Sequence, residues 1–194
     1  MKGEMLGSVY DLNILLSFEI SGVKTKTARV KQCFFRLPTL NQVLICCDGA
    51  CKGNPGVAGL GFVARVSSGE CIGAASGGLG LATNYLAEVM ALIVAGEWAV
   101  SKQFREVCFQ LDSNVVLLAF TNNKVSWIFK SIWERIRQHI LAISLRHSYR
   151  EVNFSVDEMA KKGVSLSMGH YYTMILNLNF LGDWRRKMFS MSLI

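Results

Sequence analysis

Residues 42–66 read QVLICCDGACKGNPGVAGLGFVARV, and the fold class follows from how that stretch changes along its length. Apolar and β-branched residues run from Val43 to Cys47 and stop at Asp48-Gly49, the pattern of a buried strand that ends in a turn with an acid at its C-terminal edge. The turn CKGNPG leads into the small and apolar residues VAGLGFVARV, and SSGE separates these from CIGAASGGLG, so the spacing predicts a hairpin. A glycine-rich dinucleotide loop does not fit. These glycines run into another strand, whereas a pyrophosphate site needs a helix N-terminus behind them.

Toward the C-terminus the apolar period lengthens from two to ~3.6 residues. Leu86, Val89, Met90, Ile93, Val94 and Ala95 fall at helical spacing, with Thr83 or Asn84 as N-cap. Glu88 lies one turn inside that helix, as part of a solvated face or as a placed ligand. REVCFQLD alternates like a strand and ends in Asp112, which repeats the placement of Asp48, and SNVVLLAF begins a helix at Ser113 or Asn114. SWIFKSIWERIRQHILAI reads as a helix that buries Trp127, Ile128, Ile132, Ile136 and Ile140, with Trp133 also in the core, and leaves Lys130, Arg135 and Arg137 in solvent. The strand LRHSYREV and a helix beginning near NFSVDEMAKKG follow, and Gly163 is expected to stop or fray that helix.

These elements make an α/β domain over residues 42–169, between a weakly structured basic lead-in, 1–41, and a tail, 170–194, whose structure the sequence leaves open. A chain of 194 residues with 51% hydrophobic and 18% charged residues can bury a core of that size. The formal charge of +7 is not a feature of the domain: 42–169 holds twelve basic and ten acidic side chains, the lead-in six and three, the tail three and one. Charge alone is therefore weak support for polyanion binding. The sequence shows no secretory pattern, which leads us to expect an intracellular protein of nucleus or cytoplasm. No apolar run approaches the ~18 residues of a spanning helix, so no membrane partner is expected. The six cysteines lack paired CxxC spacing and read as reduced thiols. Zinc binding by Cys46, Cys47 and Cys51 is less favoured than strand packing.

Acids at the ends of successive elements gain meaning together. Phosphodiester hydrolysis needs charge neutralisation at both the attacking and the leaving oxygen, which two Mg²⁺ ions supply, and Mg²⁺ takes hard oxygen ligands from rigid elements. Asp48 and Asp112 at neighbouring strand ends, Glu88 from a helix and Asp157 from the last helix form such a set.

The blocks CDGACKGNPG, TNYLAEVMAL, QLDSN and HSYREVNFSVDEMA, in this order, resemble the signature blocks of type 1 ribonuclease H domains, and are most similar to the plant ribonuclease H-like domains related to non-LTR retrotransposon proteins. The resemblance implies a five-stranded mixed sheet with helices on both faces. It implies a monomeric endonuclease that hydrolyses the RNA strand of RNA–DNA hybrids with two Mg²⁺ ions, Mn²⁺ being the alternative. Asp48 would bridge both metals, Glu88 and Asp112 would complete the leaving-group site, and Asp157 would help hold the metal that activates water. His147 corresponds to a histidine that assists product release or proton transfer, an assignment a structural role for a lone histidine rivals. Gly49, Asn54, Thr83, Asn84 and Asn114 correspond to nucleic-acid contacts, and capping and turn formation fit the same residues. Two other functions share the pattern: a catalytically weak or inactive nucleic-acid-binding module derived from a retrotransposon, and an interaction domain using the fold alone.

Overall fold

In the computed structural model, which describes residues 5–6, 9–20, 25–26 and 32–174, the stretch that begins at Val43 becomes an interior strand of a mixed sheet. The elements are β1 (Val43–Gly53), β2 (Gly56–Arg65), β3 (Cys71–Ala82), α1 (Asn84–Ser101), β4 (Glu106–Leu111), α2 (Asn114–Thr121), α3 (Trp127–His139), β5 (Ala142–His147), a 3-10 turn (Arg150–Val152), α4 (Phe154–Val164) and β6 (Tyr171–Met174). The strand order is β5-β4-β1-β2-β3-β6. β4 runs parallel to β1 and to β5, and the remaining pairs are antiparallel.

The sheet has six strands where five were expected. The sixth, β6, pairs with Ala74–Gly77 of β3 and comes from the start of the segment that the sequence leaves open. Residues 175–194 lie outside the described residues.

Alternation along the strands builds two cores. Val43, Ile45, Cys47, Phe62, Val107, Phe109 and Leu111 share one cluster with α1 and α3. The residues between them, Leu44, Cys46, Val63 and Cys108, pack with Val156 of α4 on the other face. Each fully buried Leu, Ile or Phe contributes roughly 1.5–3 kcal/mol. Helix α4 lies unusually close to the sheet because glycines meet there: a Cβ on Gly59 would stand 2.2 Å from the backbone of Gly163. Gly163 is buried in the last turn of α4, which ends one residue later at Val164 as expected, and it also serves the helix's close approach to the sheet.

Other corrections concern side-chain direction. The buried stripe of α3 is Phe129, Ile132, Trp133 and Ile136, with Ile140 just after it, while Trp127 is 74% exposed and Ile128 is exposed. Two residues before Phe129 is about 200° around the helix, so Trp127 points away from the sheet. Arg135 is half-buried on Glu97 at 2.5 Å and is not a solvated charge. The strand expected over LRHSYREV spans only Ala142–His147, and Arg150–Val152 forms the 3-10 turn.

The chain divides into two compact units, Met1–Cys33 and Phe34–Ile194. Described parts of the first are a helix, Val9–Ser17, and the strands Met5–Leu6 and Thr25–Lys26, paired in parallel. None of the six cysteines forms a disulfide, and no helix among the described residues is long and apolar enough to cross a membrane.

Candidate metal centre

Asp48 does not end its strand. β1 continues to Gly53 along β2, with Asp48 opposite Gly61, but its parallel pairing with β4 stops at Cys46 and Gln110. Asp48 therefore sits where β1 and β4 part, and Asp112 follows directly on the last residue of β4. Glu88 comes from the second turn of α1, whose start is fixed by Thr83: its Oγ1 accepts from the Leu86 N–H at 3.2 Å.

What brings Glu88 to Asp48 is Gly49. A Cβ built there would stand 2.3 Å from the Glu88 nitrogen and 2.4 Å from the Ala87 carbonyl carbon, so only glycine lets α1 reach β1 at this point. As a result Asp48, Glu88 and Asp112 each offer a carboxylate oxygen, all within 4.8 Å of one another. Asp48 and Glu88 are buried and Asp112 is nearly so.

Burial and crowding act on Asp48 and Glu88 in the same direction. Burial first, then the Asp112 carboxylate, push Asp48 up to about 7, against the pull of Arg150 and of the Gly49 N–H that donates to Asp48 Oδ1 at 2.8 Å. Glu88 is pushed up to about 9 by burial first, then by Asp48 and Asp112. Glu88 Oε2 and Asp112 Oδ1 are buried and accept no hydrogen bond among the described residues. Orphaned carboxylate oxygens converging in a buried site, with no sulfur or nitrogen among them, suit a hard divalent cation such as Mg²⁺.

Asp157, in the first turn of α4, is not within that group of three. Its Oδ2 accepts from Lys161 Nζ at 2.5 Å, although its charge is felt at Asp48. Asp112 Oδ2 likewise accepts from Arg150 Nε at 3.0 Å, a hydrogen bond that raises the arginine further above its ordinary value. Neither base was singled out from sequence. Lys161 had a legible signal, the i,i+4 spacing from Asp157, while Arg150 acts from a 3-10 turn with no periodicity to read.

His147, the last residue of β5, donates from Nε2 to the Asp112 carbonyl oxygen at 3.1 Å and packs edge-on against Tyr149. It thus lies beside the acids and braces the end of β4. Asn54 Oδ1 accepts from the Asn84 N–H at 3.0 Å, which joins the β1–β2 turn to the first residue of α1. Asn84 lines a cavity of about 260 Å³ with Gly49, Lys52, Arg150, Asp157 and Lys161. Asn114 is the exposed first residue of α2, behind the cap formed by Ser113, and stands outside that cavity's lining.

Comparison with known proteins gives a consistent picture. Residues 46–163 match the family model described as reverse transcriptase-like. The Ribonuclease H of Geotalea uraniireducens is 32% identical over 151 residues, covering 66% of this chain and 97% of that protein. An Arabidopsis thaliana protein, provisionally named a ribonuclease H protein, is 28% identical over 139 residues, which are 69% of this chain but only 22% of that one. Among solved structures, RNase H1 of Halobacterium salinarum superposes with a TM-score of 0.59 at 27% identity, covering 63% of this chain and 97% of that one. LC11-RNase H1, isolated from compost and solved in complex with an RNA/DNA hybrid, gives 0.56 at 27% identity over 63% and 96%.

Proposed function

Since the chain belongs to the ribonuclease H family, we propose that it is an Mg²⁺-dependent endonuclease that hydrolyses the RNA strand of RNA–DNA hybrids, with Mn²⁺ as a substitute. The observation that carries this reading is the meeting of Asp48, Glu88 and Asp112 from a strand, a helix and a strand end within 4.8 Å. These three would hold the metal, and Asp157 would join them from the cavity rim. A pair of Mg²⁺ ions, when bound, supplies neutralisation of charge on the attacking and leaving oxygens. The protein's own contribution is rigidity: Asp48 is anchored by the Gly49 N–H, Glu88 by the capped helix, and Asp112 by a strand end that His147 braces. Asn84 and Lys52 line the adjoining cavity, where a sugar-phosphate backbone would be held by shape and charge without base reading.

One specific observation favours a second reading, a binding module without turnover: Asp157 is engaged by Lys161 and stands apart from the other three acids. The two separate on one gel. The full chain is incubated with a labelled hybrid and Mg²⁺ beside Asp48→Asn. Cleavage that disappears in the variant supports the nuclease, binding without cleavage supports the module, and neither leaves only an interaction role for the fold.

A further inference from the structure

Two of the four acids carry a cationic side chain of this same chain, and the inference drawn from this rests on reading those acids as metal ligands. Arg150 Nε lies 3.0 Å from Asp112 Oδ2, and Lys161 Nζ lies 2.5 Å from Asp157 Oδ2. In each pair the base is largely in solvent, at 61% and 56%, and the acid is largely withdrawn from it, at 12% and 16%. Such a base is rehydrated at little cost when it lets go, whereas the acid needs another positive charge. Lys161 even has a second acceptor in place, Glu158 Oε1 at 2.8 Å on the solvent side of the same helix. It can release Asp157 and stay paired.

We propose that Arg150 and Lys161 are displaceable counter-ions of the acid cluster: a divalent cation binds by taking Asp112 from Arg150 and Asp157 from Lys161, and this exchange sets the affinity of the centre. The exchange also accounts for the position of Asp157, which joins the other acids only when Lys161 turns to Glu158. Both bases line the cavity that holds Lys52 and Asn84, so once displaced they face the place where a phosphate backbone would lie. They are positioning residues acting through the carboxylates they hold.

A merely long-range effect of positive charge has to be told apart from this exchange, and Lys52 allows it. It lines the same cavity, and among the described residues it forms no ion pair. The test is a calorimetric titration of Mg²⁺ into the chelator-treated full chain without nucleic acid, at moderate salt, for wild type, Arg150→Gln, Lys161→Gln and Lys52→Gln. Since an exposed ion pair is worth up to about a fivefold change in an equilibrium, Mg²⁺ should bind about two- to fivefold more tightly to the Arg150 and Lys161 variants and nearly unchanged to the Lys52 variant. Unchanged or weaker binding by both Arg150→Gln and Lys161→Gln, or an equal gain in Lys52→Gln, overturns the exchange while leaving the metal centre standing. No Mg²⁺ binding by wild type overturns both.

Discussion

Gly49→Ala is the sharpest perturbation the structure offers, because it adds one methyl group and alters no acidic side chain. The new Cβ would stand 2.3 Å from the Glu88 nitrogen and 2.4 Å from the Ala87 carbonyl carbon, against the ~3.4 Å at which such contacts become ordinary. Helix α1 must therefore move off β1 by about 1 Å, and both are packed in one core that resists it. Overpacking of this kind costs about 1–3 kcal/mol, which for a unit of this size lowers Tm by roughly 3–10 °C. The larger effect falls on function: Asp48 and Glu88 ride on the two elements forced apart, and a misplacement of ~1 Å can cost ~100-fold in rate. Gly69→Ala serves as control. It sits in a turn at φ +87° with only Leu37 side-chain carbons nearby, at 3.6 Å and beyond, so it carries backbone strain of about 1 kcal/mol and no change at the acids. Thermal melts, Mg²⁺ titration and hybrid cleavage are compared for both. A Gly49→Ala protein with wild-type Tm, Mg²⁺ affinity and rate would refute the argument that this glycine seats the helix.

Further expectations follow from burial and charge. Glu88→Gln should melt higher than wild type in chelator yet fail to cleave. The folded state holds a proton on a carboxyl pushed up to about 9, so wild-type stability should fall as pH rises from about 5 toward 9, and the variant, which keeps the raised Asp48, should fall less and chiefly below about 7; a wild type that gains stability over that window contradicts the assignment. Trp133→Ala should cost about 3–5 kcal/mol and Trp127→Ala within about 0.5 kcal/mol, by denaturant melts; equal costs would mean that the face of α3 is misassigned. Cys46, Cys47 and Cys108 are buried, and burial raises the Cys46 thiol to about 12, so they should resist a thiol reagent until the protein unfolds. Rapid labelling of all six under native conditions would contradict the packing of β1 and β4.

What could be read in advance had a strong local signal. The run Val43–Cys47, the cap at Thr83 and the acid after β4 each combine a period with a stop, and they place Asp48, Glu88 and Asp112 on three separate elements. Their convergence is a tertiary matter. It depends on the bare α-carbon of Gly49, and a glycine that spares a turn looks the same in sequence as one that admits a helix. Trp127 was misread because a helix's first turn is compatible with two phases of the apolar stripe, and Phe129 settles which one faces the sheet. Strand β6 gave no signal of its own, since four residues acquire meaning only against the open edge of β3. Of the bases on Asp112 and Asp157, Lys161 is legible in its i,i+4 spacing, whereas Arg150 comes from a 3-10 turn that has no period to read.

The most direct test of the acid cluster is to see a metal in it. Crystals of the full chain soaked in Mn²⁺ should show an anomalous difference peak bounded by Asp48, Glu88 and Asp112 and coordinated by their carboxylate oxygens. Mn²⁺ bound elsewhere on the chain, with these three side chains left uncoordinated, would contradict the account.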